Sequence, residues 1–72
     1  NPSEHALKAE QAEQVRRAIK LLPERQQATL VLAYYQQLSY PDVADVLGCS
    51  VGTVKTQMFR ALKTLAQKLP DI

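Results

Sequence analysis

Two helix starts and one helix stop follow closely on one another in the second half of the chain, and they constrain its fold more than any other feature. Ser39 lies three residues before Asp42, which is the spacing of a capping box at a helix N-terminus. Gly48 predicts the end of that helix, because glycine adopts a positive φ at little cost. Ser50 is a second N-cap candidate. The sequence therefore predicts a short helix at 40–47 and a longer one at 51–69, which Pro70 ends.

Two further helices are predicted before this pair. Asn1 can cap a helix at about 2–21, with Glu4 at a capping-box spacing, and Pro23 can begin another at about 23–37. No segment reads as a strand or a repeat. A chain this short buries only roughly 60% of its unfolded surface, so all the helices must share one core. We therefore expect an all-α fold: one four-helix domain over all 72 residues, with a C-terminal helix-turn-helix.

The spacing within the last two helices is that of a helix-turn-helix. The two helices cross closely, so the first needs a small residue, which is Ala44. The turn needs a residue that tolerates left-handed geometry, and Gly48 follows four positions later. The second helix needs an apolar anchor one turn in, and Val54 lies six positions after the glycine. Each condition alone is weak, but the three together indicate the motif.

The last helix has an apolar face and a polar, cationic face when its residues are placed at 100° intervals. Residues 51–72 contain four basic residues and one acid, a balance of +3, whereas residues 1–50 contain five basic and six acidic residues, a balance of −1. A local cationic face suits an anionic partner such as DNA, and uncapped amides at Val51, Gly52 and Thr53 would add a phosphate site. The candidate DNA-binding residues are Ser50, Gly52, Thr53, Lys55, Thr56, Phe59, Arg60 and Lys63.

Phe59 is the unusual member of this set, because it lies off the apolar stripe and beside cationic residues. One interpretation is that it makes an apolar contact with a thymine methyl group in a major groove. The other is that it folds back along the helix and shields Leu62 or a neighbouring helix. The sequence leaves both open.

Several other functions lack the residues they need. There is no paired carboxylate in a pocket, no nucleophile–base set and no glycine-rich phosphate loop, so we expect no enzyme and no cofactor. His5 has no partners at metal-ligand spacing, so we expect no metal site. No apolar run approaches the ~18 residues that span a bilayer. The single cysteine, Cys49, is expected to be a small buried thiol; it fits a reducing compartment and hence a cytoplasmic protein.

Several ordered blocks between Leu22 and Leu62 resemble the C-terminal domain, region 4, of extracytoplasmic-function sigma factors. The blocks are Leu22-Pro23, Leu38-Ser39-Tyr40, Asp42-Val43-Ala44, Leu47-Gly48, Gly52-Thr53-Val54-Lys55 and Arg60-Ala61. The resemblance implies a four-helix domain that reads the −35 promoter element within bacterial RNA polymerase holoenzyme, and it carries Lys55, Thr56, Phe59 and Arg60 onto DNA-facing positions. The chain begins without methionine, and we expect it to be a fragment of a longer protein.

The resemblance also implies protein partners. In this family the polymerase β-subunit flap docks on the earlier helices, and an anti-sigma factor can occlude these surfaces. The stretch 28–35 is apolar nearly all round, as expected of a helix that is central in the fold or partly reserved for a partner. We therefore expect Leu30, Tyr34 and Tyr35 to bind a partner. Tyr34 and Tyr35 are adjacent and point to different faces, so one is expected in the core and the other at the surface.

Three positions depart from the family pattern. Gln27 and Gln57 stand where the family often has arginine, which lowers the expected phosphate contribution. Gln37 stands where the family often has glycine, so the second helix is expected to extend further. The sequence is also compatible with two alternative functions: a sigma-like interaction module that binds an anti-sigma factor or regulator without reading DNA, and the output domain of a response regulator. The cationic helix face argues against the first, and the Leu-Pro and Leu-Ser-Tyr blocks argue against the second.

Overall fold

Local capping interactions set both ends of the helix that begins at Tyr40 and the start of the one that begins at Val51. The computed structural model describes residues 2–69, and within that range the chain forms four α-helices and no strand: α1 (Pro2–Lys20), α2 (Glu24–Leu30), α3 (Tyr40–Leu47) and α4 (Val51–Lys68). The predicted all-α, four-helix class is confirmed. Asn1, predicted to cap α1, and Pro70, predicted to end α4, lie outside the described residues. None of the helices in the described part of the chain is long and apolar enough to cross a membrane.

The ends of α3 use the signals that the sequence carries. The Ser39 hydroxyl accepts a hydrogen bond from the Asp42 N–H at 3.2 Å. At the other end Gly48 has a φ of 68°, and the N–H groups of Gly48 and Cys49 both donate to the Ala44 carbonyl. This left-handed closure satisfies a carbonyl that the helix end would otherwise leave without a partner. It also turns the chain sharply toward α4.

The second helix differs from its predicted range. Pro23 is the N-cap rather than the first helical residue, and α2 widens after Leu30 into a π-helical segment, Val31–Tyr35. Hydrogen bonds at its end reach five residues back, as the Gln36 N–H donates to the Val31 carbonyl at 3.1 Å. The helix therefore stops at Tyr35, before the expected end at about residue 37.

The early stop is a consequence of the backbone at Gln37. This residue has a φ of 59°, the left-handed conformation that costs a residue with a Cβ atom about 1–2 kcal/mol. The next backbone N–H, that of Leu38, donates to the Leu32 carbonyl at 3.0 Å. The side-chain amide of Gln37 donates weakly to the Tyr34 carbonyl at 3.4 Å. The expectation of a longer helix was wrong, because glutamine here adopts the turn geometry that glycine adopts more easily.

All four helices contribute to a single core. Its buried apolar residues are Ala18, Ile19, Leu22, Leu30, Val43, Ala44, Val54, Met58, Ala61 and Leu65. Thr29 is the one polar residue buried among the described residues, and its hydroxyl donates to the Arg25 carbonyl at 2.8 Å, so its burial leaves no unpaired donor. The N-terminal part of α1, residues 3–10, is exposed throughout and includes Leu7. The part of α1 that packs on the core therefore starts near Val15.

Replacing Gln37 with glycine should stabilise the domain by about 1 kcal/mol, because it removes the left-handed strain and costs only one weak hydrogen bond. The midpoint of thermal unfolding should rise by about 4–8 °C, measured by circular dichroism. Gln36→Gly is the matched control: its φ of −91° suits any residue, so glycine there should lower stability. Equal shifts at both positions would show that strain at Gln37 is not what the substitution relieves.

Candidate nucleic-acid interface

The packing of α3 on α4 determines which face of α4 is presented outward. Ala44 and Val54, the residues predicted to hold the helix-turn-helix together, are both buried. The buried stripe continues along α4 through Met58, Ala61 and Leu65. These positions are three or four apart, so they lie on one side of the helix. The opposite side of α4 is left at the surface.

Arg25 ties α2 to the end of α3. Its Nη1 donates to the Leu47 carbonyl at 3.0 Å, and Leu47 is the last residue of α3. A guanidinium at this position also meets the negative end of the α3 dipole. Sequence reasoning missed Arg25, because its partner lies 22 residues away and no periodic pattern links the two.

The Ser50 hydroxyl forms two hydrogen bonds within the N-cap of α4. It accepts a hydrogen bond from the Thr53 N–H at 3.1 Å and donates to the Thr53 hydroxyl oxygen at 3.0 Å. Ser50 was predicted to bind DNA; in the structure its side chain organises the first turn of the helix and has donated its only hydroxyl hydrogen. The Thr53 amide, predicted to be uncapped, is capped. The hydrogen of the Thr53 hydroxyl remains available, since its oxygen already accepts from Ser50.

Two amides at the start of α4 remain open to a ligand. The N–H groups of Val51 and Gly52 precede the first intrahelical donor, which is the Val54 N–H bonded to the Ser50 carbonyl. A Cβ atom placed on Gly52 would meet only the Ser50 hydroxyl, at 3.8 Å, which is ordinary van der Waals contact. The fold therefore does not need glycine here, whereas a glycine permits close approach to the backbone.

Thr56 is also partly committed to its own helix. Its hydroxyl donates to the Gly52 carbonyl at 3.1 Å, one turn earlier. A hydroxyl in this arrangement has no hydrogen left for a phosphate or a base acceptor. Thr56 can still accept a hydrogen bond from a base amino group or offer its methyl group to an apolar partner.

Four other predicted DNA-binding residues, Lys55, Phe59, Arg60 and Lys63, have exposed side chains. Phe59 is 68% exposed, and Leu62 is also 52% exposed, so Phe59 does not shield Leu62 from solvent. The interpretation in which Phe59 folds back over Leu62 was wrong. Lys55, Arg60 and Lys63 are exposed, and among the described residues none of them forms an ion pair. No acidic residue occurs within α4. This outward face therefore carries unneutralised positive charge around one exposed aromatic ring.

Two cations of α1, Arg16 and Arg17, differ from those of α4 because each lies close to a carboxylate. Glu13 accepts from Arg16 at 3.0 Å and lies 3.5 Å from the Arg17 Nε. The hydrogen bond from Arg16, with the charges of Arg16 and Arg17, lowers the pKa of Glu13. These arginines are thus partly neutralised within their own helix, as expected of a solvated helix face. The free cationic face is that of α4.

The predicted partner-binding residues do not share one environment. Leu30 is only 3% exposed and is a core residue, so it offers a partner very little surface on the folded domain. Tyr34 and Tyr35 are 64% and 47% exposed, and their rings form a T-shaped pair with centroids 5.2 Å apart. Neither tyrosine is in the core, which corrects the expectation that one would be. The sequence pattern could not reveal this, because the π-helical segment changes the rotation of the chain after Leu30.

A cleft of about 190 Å³ lies beside these tyrosines, between α1, α2 and α4. Its lining is almost wholly apolar: Val15, Ile19, Leu30, Tyr34, Leu62 and Leu65. Exposed Leu62 and Tyr34 stand among its lining residues and widen the apolar surface. The cleft uses the same helix as the cationic residues: Leu62 and Leu65 of the cleft lie on either side of Lys63 in the sequence.

The two residue types that most often take part in metal or redox chemistry, histidine and cysteine, each occur once in the chain and take ordinary positions. Cys49 is half-buried in the turn before α4, and His5 is exposed on α1. Within residues 2–69, no group of three histidine, cysteine, aspartate or glutamate side chains could hold a metal ion.

Comparison with known proteins gives one consistent family. The family described as sigma-70, region 4, matches residues 12–65. The chain is 36% identical over 72 residues to the RNA polymerase sigma-H factor of Pseudomonas aeruginosa, covering 100% of this chain and 37% of that protein. It is 35% identical over 72 residues to the ECF RNA polymerase sigma-E factor of Escherichia coli, covering 100% and 38%. It is 30% identical over 71 residues to the ECF RNA polymerase sigma factor SigW of Bacillus subtilis, covering 99% and 38%.

The match agrees with the geometry of the domain. It includes the second half of α1, all of α2 and α3, and α4 as far as Leu65. The chain spans less than two fifths of the length of these relatives, so they contain a good deal more than the domain described here. By its four-helix fold, its helix-turn-helix and this match, the chain belongs to the sigma-70 region 4 family.

Proposed function

We propose that this domain recognises the −35 element of promoters as part of a bacterial RNA polymerase sigma factor, with α4 in the major groove. The observation that carries the proposal is the outward face of α4, where exposed cations surround an exposed phenylalanine and no carboxylate among the described residues neutralises them. Its relatives are named RNA polymerase sigma factors. The domain acts by binding alone, in the cytoplasm.

The start of α4 positions the domain on the DNA backbone. The open N–H groups of Val51 and Gly52 and the hydroxyl of Thr53 can donate to one phosphate, at the positive end of the helix dipole. The Ser50 hydroxyl contributes indirectly, because its bond to the Thr53 oxygen directs the Thr53 hydrogen outward. These contacts fix register and carry no base information.

The middle of α4 reads the bases. Arg60 can form the bidentate pair with guanine O6 and N7, and Lys55 can donate to a base edge or a phosphate. Phe59 offers its ring to a thymine methyl group, and Thr56 offers an acceptor or its own methyl group. Lys63 lies one turn beyond Phe59 and is placed for the opposite strand's backbone. Specificity in this scheme comes mainly from Arg60 and Phe59.

A domain with so few free cations should bind DNA weakly on its own. Three or four phosphate contacts correspond to a slope of log affinity against log salt of about −3, which is shallow for a specific DNA-binding protein. Within holoenzyme, attachment to polymerase raises the effective concentration of the domain at the promoter. We therefore propose that strong binding requires the whole polymerase.

Arg60→Ala should lower affinity for a selected duplex about tenfold or more, because it removes one bidentate base contact. The duplex is one enriched by this chain from a random-sequence library, and fluorescence anisotropy against a scrambled duplex across a salt series measures the preference. Transcription by holoenzyme carrying the same substitution should fall in parallel. Equal binding to both duplexes, with transcription indifferent to Arg60→Ala, would instead favour a sigma-like module that does not read DNA.

Replacing thymines one at a time with deoxyuridine should reveal the Phe59 contact. Loss of one buried methyl group costs roughly 0.8 kcal/mol, so the wild-type chain should lose about fourfold in affinity at one thymine. Phe59→Ala should bind more weakly overall and be insensitive at that position. Leu62→Ala, which changes another exposed apolar residue of α4, is the control and should keep wild-type sensitivity. A wild-type chain insensitive to every replacement rules out the methyl contact.

We further propose that the β-subunit flap of RNA polymerase docks on the apolar cleft and on the tyrosine pair beside it. The support is an apolar surface, made of the cleft together with exposed Tyr34, Tyr35 and Leu62, because exposed apolar residues that lie together mark interaction sites. An anti-sigma factor that binds the same surface would compete with polymerase. Leu30 lines the same cleft but is only 3% exposed, so it contributes little of the docking surface.

Tyr34→Asp should weaken binding to polymerase core by at least tenfold while leaving helical content unchanged, because it places a charge in an apolar contact. Leu7→Asp is the matched control, since Leu7 is also an exposed apolar residue but lies on the part of α1 away from the cleft. Pull-down of core enzyme and circular dichroism give the two readouts. Leu30→Asp should unfold the domain. Unchanged core binding by Tyr34→Asp would contradict the docking surface.

A further inference from the structure

Arg25 brings a cation from α2 to the corner of the fold where α4 begins. Its Nη1 lies 3.0 Å from the Leu47 carbonyl, and Leu47 precedes the turn that leads to Ser50, the N-cap of α4. The guanidinium is therefore held next to the turn of the helix-turn-helix. The open N–H groups of Val51 and Gly52 start one residue after that turn.

Most of the hydrogen-bonding capacity of Arg25 is unused. A guanidinium has five N–H donors in a planar fork, and one of them is bonded to Leu47. The side chain is exposed, and both ion pairs of residues 2–69 belong to Glu13 on α1. Asp45 is only two residues from Leu47, but it forms no ion pair with Arg25. Arg25 thus bonds a neutral carbonyl and keeps its full charge directed to solvent.

A cation fixed in this way is prepared to bind an anion. A free arginine loses side-chain entropy when it binds a phosphate, but the bond to Leu47 has already restricted Arg25. The planar fork allows one edge to hold the carbonyl while other donors contact a phosphate. The Thr53 hydroxyl hydrogen is free at the same end of α4.

We propose that Arg25 contacts a DNA phosphate beside the start of α4, so that the DNA-binding surface includes α2 as well as the helix-turn-helix. This inference rests on the proposed function, because it requires the N-terminus of α4 to face DNA. It adds one backbone contact and leaves base recognition to α4. Affinity therefore falls for all sequences alike when Arg25 is replaced.

The salt dependence of DNA binding separates this role from a structural one. Arg25→Gln should weaken binding to the selected and the scrambled duplex by a similar factor, about tenfold at low salt. The slope of log affinity against log salt should become shallower by about 0.9, the value for one phosphate on duplex DNA. Arg25→Lys, which keeps the charge, should keep the wild-type slope. Arg17→Gln, an exposed arginine on α1, is the matched control and should leave the slope unchanged.

An unchanged slope for Arg25→Gln, whether or not affinity falls, would overturn the proposal and leave Arg25 as a residue that only positions the turn. If Arg25→Gln does not fold by circular dichroism, methylphosphonate replacement at each phosphate in turn decides instead, with wild type and with Arg25→citrulline, a neutral isostere that keeps N–H donors for the Leu47 carbonyl. The two profiles should differ at one phosphate, and identical profiles overturn the proposal. Failure of the proposed function is recognised separately, since the wild-type chain would then not prefer the selected duplex.

Discussion

The burial of Val43 and Val54 where α3 crosses α4 is the constraint on which the functional surface depends. Both are fully buried, and both are β-branched with stiff side chains, so α4 cannot roll about its axis without exposing apolar surface. At 100° per residue, Phe59 then lies about 140° from Val54 around the helix, and Thr56 and Lys63 about 160–180° from it. Through the burial of Val54, the core thus determines which side chains of α4 face outward.

The start of α4 divides its polar groups between stability and recognition. Ser50 and Thr56 use their hydroxyl hydrogens inside the helix, on Thr53 and on the Gly52 carbonyl. Groups committed in this way stabilise the first turn and hold it in one geometry, but they offer less to DNA. Recognition is therefore left to the open amides and to longer side chains beyond the first turn. A rigid helix start with few free donors agrees with a domain that depends on a larger assembly for affinity.

Sequence reasoning succeeded where a local interaction decides the structure. The caps at Ser39 and Ser50 and the left-handed Gly48 each involve residues a few positions apart, and each has one favoured geometry. It failed where the backbone conformation or the hydrogen-bond partner of a residue does not follow from the preferences of nearby residues. Gln37 adopts a glycine-like turn against its own preference, and Arg25 finds its acceptor on another helix. The environment of the tyrosine pair follows from a π-helical segment that has no sequence signature.

On the proposed function, α4 serves two partners at once. Leu62 borders the apolar cleft and Phe59 belongs to the DNA face, yet they are three residues apart and therefore neighbours on one helix. A protein that fills the cleft but stops at Leu62 leaves Phe59 free, so it can hold the domain against DNA. A protein that extends one further turn covers Phe59 and excludes DNA. The difference between an activating and an inhibiting partner then needs no change in the domain, only a difference in how far along α4 the partner reaches.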